Sequence, residues 1–181
     1  MAIKKLEKGL IHIYTGDGKG KTTAAIGQGT RTAGGGYKVL MVQFLKGDDT
    51  GELHSIERMA PNFKLIRYAP LNSFYKFLKE EEKEAVKREV QQGLQEVISY
   101  LEGDEFNLII LDEIMAVLFN EILSVEDIIK LIEKKPPLVE LILTGRNAPK
   151  ELMDLADYVT EMKMIKHPFE KGIYARKGIE S

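Results

Sequence analysis

The stretch Thr15-Gly16-Asp17-Gly18-Lys19-Gly20-Lys21-Thr22-Thr23, set directly after the apolar run Leu10–Tyr14, constrains this chain more than any other. Alternate glycines let a backbone turn tightly, so that several N–H groups point into one concavity against the start of a helix, where phosphate oxygens can sit. Lys21 adds a mobile positive charge beside the terminal phosphates, and Thr22 a hydroxyl able to ligate Mg²⁺. Gly16, Asp17, Gly18, Lys19, Gly20, Lys21, Thr22 and Thr23 are therefore the candidate nucleotide-binding residues. Thr15 stands where the general pattern G-x-x-x-x-G-K-[ST] has its first glycine, so the surroundings must decide whether the loop is intact. A β-branched strand candidate precedes it, and Thr22 to Ala33, carrying Ala, Ile and Gly without proline, reads as a helix packed closely on a sheet. A glycine-rich turn that binds nothing has no use for Lys-x-Lys-Thr. The expected ligand is a nucleoside triphosphate.

Apolar runs of strand length at Leu10–Tyr14, Lys38–Leu45, Phe63–Tyr68, Leu108–Leu111, Leu138–Leu143 and Tyr158–Ile165 alternate with helix-length segments. Continuous rather than alternating hydrophobicity in Val39–Val42 and Leu108–Leu111 marks strands covered on both faces. The expected fold is thus α/β: a P-loop NTPase-like three-layer sandwich with a mostly parallel, roughly six-stranded sheet and right-handed crossovers. At 181 residues the chain is expected to form a single domain over residues 1–181. The longest helix is expected from about Phe77 to Leu101, with the run Lys79–Glu84 as its solvated face. Another is expected to open at Ser124, capped with Asp127, and to stop before Pro136-Pro137. Gly34-Gly35-Gly36 reads as the turn that ends the first helix.

Leu108-Ile109-Ile110-Leu111-Asp112-Glu113 puts two carboxylates at the end of a buried strand, on the sheet edge that carries the glycine loop. Ligands bind at that edge in open α/β sheets. Asp112 can hold Mg²⁺ there, directly or through water, next to Thr22. Leu141–Thr144 followed by Gly145-Arg146 repeats the geometry, and Arg146 either pairs a phosphate or carboxamide oxygen with its planar fork or closes a surface turn. Among the three histidines, His12 and His54 read as structural, and His167 as a packing residue or one at the edge of a bound ligand rather than catalytic. Phe63, Tyr68, Phe74, Tyr75 and Phe77 are mostly expected in the core, with one or two rings near Pro70–Ser73 free to cover a flat ligand.

Composition removes other chemistries. There are no cysteines, so thiolate metal sites and cysteine nucleophiles are excluded. No serine–histidine–acid spacing or histidine metal cluster occurs. A formal charge of −2 offers no overall basic field for a nucleic acid. No apolar run approaches the roughly 18 residues that span a bilayer, so no membrane partner and a cytoplasmic protein are expected.

Taken together, these motifs resemble the corrinoid adenosyltransferases of the phosphate-loop type, which make adenosylcobalamin from ATP and a cob(I)alamin or cobyrinic acid derivative. The resemblance runs nearly end to end. It rests on Thr15–Ala25, Val42-Gln43-Phe44-Leu45-Lys46-Gly47, Leu111-Asp112-Glu113, Leu143-Thr144-Gly145-Arg146, Asp154-Leu155-Ala156-Asp157 and Lys166–Ile173. Thr15 in place of the first glycine is a trait of that family. The resemblance implies attack of Co(I) on the ribose C5′ of ATP and departure of triphosphate. It implies Lys21, Thr22 and Glu113 as catalytic residues, with Thr22 and Glu113 holding Mg²⁺. Phe74 and Tyr75 are the nearest candidates for corrinoid contacts, in a stretch that departs from the family's Gly-Phe-Thr-Trp pattern. A homodimer and a flavin reductant as electron donor are also implied. The residues themselves leave open a phosphate-loop kinase or ATPase acting on another small molecule, or a corrinoid carrier without turnover.

Overall fold

The strands are β1 (Ile11–Thr15), β2 (Val39–Phe44), β3 (Phe63–Tyr68), β4 (Leu108–Asp112), β5 (Glu140–Thr144) and β6 (Tyr158–Glu161). A computed structural model, which describes residues 4–180, places them in one sheet of order β3-β2-β4-β5-β1-β6. Every neighbouring pair is parallel, so each connection must cross over one face of the sheet. The crossovers are α1 (Lys21–Gly34), α2 (Gly51–Glu57), α3 (Glu80–Glu102), α4 (Ile114–Phe119) with α5 (Val125–Glu133), and α6 (Lys150–Leu155). Met1–Ile3 and Ser181 of the expected domain lie outside the described residues.

Alternation along each strand divides the core into two layers. Val39, Met41, Leu108, Ile110 and Ile142 face Ala25 and Ala33 of α1 and Ile56 of α2. Leu40, Val42, Ile109, Leu111, Leu141 and Leu143 face the opposite way, against Val90, Leu94 and Val97 of α3 and Ile128 and Leu131 of α5. That two-sided demand is why these strands read as unbroken apolar runs. Full burial of each such side chain contributes about 1.5–3 kcal/mol relative to exposure.

Three boundaries differ from expectation by two residues or more, each for a local reason. Helix α3 starts at Glu80, because the Glu82 carboxylate accepts from the Lys79 N–H at 2.8 Å and caps the helix there. Phe77 falls instead in a separate 3-10 turn, Tyr75–Phe77, and is 70% exposed. Strand β5 starts at Glu140, after a turn in which the Val139 N–H donates to the Pro136 carbonyl. Strand β6 stops at Glu161, and the chain beyond it leaves the sheet to lie along the glycine loop: the Gly18 N–H donates to the Met162 carbonyl at 2.7 Å. The cap at Ser124 forms as the sequence suggests, with Asp127 returning a bond to the Ser124 N–H at 2.8 Å. Among the described residues no helix is long and apolar enough to cross a membrane.

Candidate active site

The glycine loop leaves the end of β1 and enters α1 through two residues in left-handed conformations, Gly16 at φ 100° and Gly20 at φ 120°. A β-carbon at Gly16 would meet the Met162 carbonyl oxygen at 2.5 Å, so both conformation and space require glycine there. Neither a side-chain cap nor a first-turn acid occupies the start of α1, which leaves its first N–H groups for an anion. Lys21 is only 8% exposed and folds back over the loop, donating to the Gly16 carbonyl at 2.6 Å and the Gly18 carbonyl at 2.9 Å. Burial pushes its amine below the usual lysine range, opposed by Glu113, Asp17 and Asp112.

Asp112, at the end of β4, is fully buried and fully engaged. Its Oδ1 accepts from Thr22 Oγ1 at 2.9 Å and Thr144 Oγ1 at 2.7 Å, and its Oδ2 accepts from Gln43 Nε2 at 3.2 Å and Lys46 Nζ at 3.0 Å. The hub thereby ties the ends of β2, β4 and β5 to the first turn of α1. Gln43, beside Asp112 in register, is held in turn by Arg67, whose Nε donates to Gln43 Oε1 at 2.9 Å. Arg67 also donates to the Asp48 carbonyl at 2.6 Å and to Thr50 Oγ1 at 2.9 Å, pinning the loop after β2.

Strands β2 and β4 are each followed directly by a non-glycine residue in the left-handed region, Leu45 at φ 59° and Glu113 at φ 61°. Such residues are uncommon and collect at functional sites. The Glu113 N–H donates to Thr144 Oγ1 at 3.0 Å, so one threonine hydroxyl fixes both acids of the strand end. While Asp112 points into the protein, Glu113 lines the cavity above the loop. Its carboxyl is pushed above the usual range, first by burial and then by the Asp112 charge, with Lys46, Lys21 and Arg146 pulling the other way. A raised carboxyl favours the folded state while protonated and loses that stabilisation as pH rises through its folded pKa. Glu113→Gln is therefore expected to raise the melting temperature of the ligand-free chain at neutral pH and to lower its activity; an unchanged or lower melting temperature would contradict the strained-carboxylate picture.

Two cavities meet at this edge. The first, about 350 Å³, is lined by Asp17, Gly18, Lys19, Gly20, Lys21, Thr22 and Thr23 together with Lys46, Glu52 and His167. The second, about 380 Å³, is walled by Phe74, Tyr75, Met115 and Phe119. Glu113 and Arg146 line both. Arg146 is exposed, with its Nε 4.0 Å from Asp17 Oδ1. His167 caps the short turn Pro168–Lys171 by accepting from the Phe169 N–H. His12 pairs with Glu140 and His54 with Asp49, both away from the loop. A larger groove of about 560 Å³ lies at the opposite, amino end of the sheet between α2 and β3.

Phe63 and Tyr68 are core residues, whereas Phe74 is 74% exposed at the second cavity. Sequence reasoning named Gln43, Lys46 and Thr144 only as members of family-like motifs, without a role, and did not single out Glu52, Met115 or Phe119. The polar end of β2, Gln43-Phe44-Leu45-Lys46, carried a signal, because a buried strand that closes on Gln and Lys beside a glycine loop repeats the pattern of β4 and β5. Phe119 carried none, since a helix of six residues shows no readable periodicity.

The donor set suits a magnesium ion. Mg²⁺ prefers six oxygens and is usually held by one or two carboxylates and a hydroxyl, with phosphate and water completing the shell. Thr22 and Glu113 line the cavity over the glycine loop with Asp112 directly behind the threonine hydroxyl. Among the described residues no cluster of three or more acidic or histidine side chains could hold a metal without such help.

A strand, a glycine loop and a helix at the carboxyl edge of a parallel sheet, with an acidic strand end bonded to the loop threonine, define a P-loop nucleotide-binding protein. The family model described as ATP:corrinoid adenosyltransferase BtuR/CobO/CobP matches residues 7–181, and the chain belongs to that family. It is 38% identical to a corrinoid adenosyltransferase of Sinorhizobium sp. over 99% of this chain and 84% of that protein. It is 33% identical to the corrinoid adenosyltransferase of Escherichia coli K12 and 33% identical to corrinoid adenosyltransferase CobA of Salmonella typhimurium, each over 96% of this chain and 86% of the relative.

Proposed function

We propose that the chain, as a single domain, transfers the 5′-deoxyadenosyl group of ATP to the Co(I) of a corrinoid, in synthesis or salvage of adenosylcobalamin. The observation that carries this reading is the shared wall of Glu113 and Arg146 between a polar cavity over the glycine loop and an aromatic cavity beside it. A triphosphate tail suits the first and a flat apolar macrocycle the second. Their reacting ends would meet at that wall.

In the reaction the Co(I) electron pair forms the bond to ribose C5′, the C5′–O bond breaks, and its electrons leave with triphosphate. The chain's task is to absorb that charge. The N–H groups of the loop and of the first turn of α1, with Lys21, face the departing tail and act where charge develops. Thr22 and Glu113, backed by Asp112, would hold Mg²⁺, which when bound neutralises phosphate charge. Phe74, Tyr75 and Phe119 would exclude water from a reduced metal that water and oxygen destroy. A flavin reductant is the proposed electron donor, and the cytoplasm the proposed compartment.

We also assign the chain to a homodimer. Strand β6 is exposed along its whole length, and Tyr158, Ile165, Phe169 and Tyr174 present further apolar surface on and beyond it. Such a surface suits a partner copy.

Anaerobic incubation with ATP, Mg²⁺, cob(II)alamin and a reduced flavin tests the reading. Triphosphate and an alkyl-cobalt spectrum are expected in equal amounts. ADP without that spectrum would indicate a kinase or ATPase, and no released product a carrier. Phe74→Ala should raise the KM for corrinoid by about tenfold, the value of one aromatic contact of roughly 1–1.5 kcal/mol, with ATP affinity unchanged. An unchanged corrinoid KM would move that site elsewhere.

A further inference from the structure

Lys46 lines the cavity over the glycine loop without a task in the reaction so far. It follows β2 by one left-handed residue, and its ammonium lies 3.0 Å from Asp112 Oδ2, 3.6 Å from Glu52 Oε1 and 3.4 Å from Thr22 Oγ1. Two features make this more than a structural ion pair. First, three of the roughly four acceptor sites of Asp112 are filled by neutral donors, Thr22, Thr144 and Gln43, so the carboxylate keeps most of its hydrogen bonds when the lysine turns away. Second, the lysine is not sealed in with its partner: Asp112 has no exposed side-chain surface, whereas 26% of the Lys46 side chain is open to the cavity that holds the glycine loop. A flexible stem carrying a point charge at the rim of an anion cavity can turn from one anion to another. The threonine hydroxyl it touches is also the oxygen offered to Mg²⁺. Two cations crowded at one hydroxyl repel, and an arriving polyphosphate supplies new anionic oxygens, so both changes favour release of the lysine from Asp112.

We propose that Lys46 is a second triphosphate-binding residue, parked on Asp112 and Thr22 in the ligand-free chain and transferred to the phosphate tail when nucleotide enters. It grips the tail from the β2 side while Lys21 grips it from the loop. The charge that grows on triphosphate as C5′–O breaks is then met from two directions. This rests on the reading of the loop as a triphosphate site.

The test is calorimetric binding of inorganic tripolyphosphate, without corrinoid, to the unaltered chain, to Lys46→Met and to the pair Lys46→Met with Asp112→Asn. The pair removes one positive and one negative charge, so the cavity keeps its net charge and no buried carboxylate is left uncompensated. Lys46 as a phosphate ligand predicts a loss of at least about tenfold in affinity in both variants, the size expected for a charged hydrogen bond. If Lys46 only balances Asp112, the pair recovers the affinity of the unaltered chain, and the proposal is overturned. Failure of the unaltered chain to bind tripolyphosphate would bring down the loop reading, and Lys46's role with it. Should the variants not fold, nitrogen-15 spectra of the lysine ammonium groups of the unaltered chain decide the matter. The Lys46 resonance must shift and show coupling to phosphorus on addition of tripolyphosphate, and a resonance that stays put rejects the transfer.

Discussion

Replacing Lys21 with alanine is expected to lower adenosyl transfer by about 10² to 10³, the effect of removing one preorganised donor aimed at developing charge. The fold should survive, because the ammonium now satisfies the carbonyls of Gly16 and Gly18 in a loop that lines an open cavity, where water can take its place. The structure also says which kinetic constant moves. Lys21 is held over the loop before any ligand arrives, and burial depresses its pKa, so it is a desolvated charge waiting for an anion. A leaving triphosphate carries more charge on its bridging oxygen than bound ATP does, so the loss falls mainly on kcat and less on KM. Lys21→Arg should not rescue, since a planar fork cannot reproduce two bonds converging on a single point from Gly16 and Gly18. Anaerobic initial rates across ATP concentrations, with circular dichroism as a control for folding, check both statements. Near-normal turnover by a folded Lys21→Ala chain would remove the loop from the chemistry.

How far the sequence reaches follows from which forces are local. The strand–loop–helix at residues 11–34 is legible because glycine spacing, a lysine and a threonine act within one turn of chain, where periodicity and backbone freedom decide the outcome. The two-layer burial of β2, β4 and β5 is legible for a similar reason: a strand covered on both faces must be apolar at every position. The start of α3 was less so. Phe77 continues the apolar spacing of the helix, yet Lys79 and Glu82 close a cap that periodicity does not weigh, and Phe77 turns outward. The Asp112 hub was visible only in part. The sequence offered Thr22 and Asp112 as neighbours, but Gln43, Lys46 and Thr144 join them through the register of three parallel strands, and register is a property of the sheet. Strand position alone put Asp112 forward as the metal ligand, and Glu113 entered only through the family resemblance. A left-handed turn at Glu113 sends one inward and the other to the cavity.

Asp112→Ala is expected to be the most destabilising single change at this edge, by about 3–5 kcal/mol, because it strips the acceptor from several donors at once, two of them on the fully buried Gln43 and Thr144, at about 1–3 kcal/mol for each buried group left unsatisfied. The carboxylate is fully buried, and each oxygen has two partners. Truncation would leave the Lys46 ammonium with Glu52 and the open cavity alone, the Gln43 amide short of one acceptor, and the Thr22 and Thr144 hydroxyls without theirs. The sequence of consequences is ordered by distance. Thr22 would lose its tether first, loosening the opening turn of α1. Thr144, still accepting from the Glu113 N–H, would keep the strand end partly fixed. Activity should therefore fall even at temperatures where the chain remains folded. Paired replacement of Asp112 by Asn and Lys46 by Met should recover part of the stability, since it removes both charges and retains the oxygen that Thr22 and Thr144 address, while the new amide NH2 loses the bond that Gln43 donates to Oδ2. Urea denaturation of the single and paired variants measures this directly. If Asp112→Ala proved as stable as the unaltered chain, the carboxylate could not be the strut that holds β2, β4, β5 and α1 in one frame, and the alignment of loop and cavity would have to come from core packing alone.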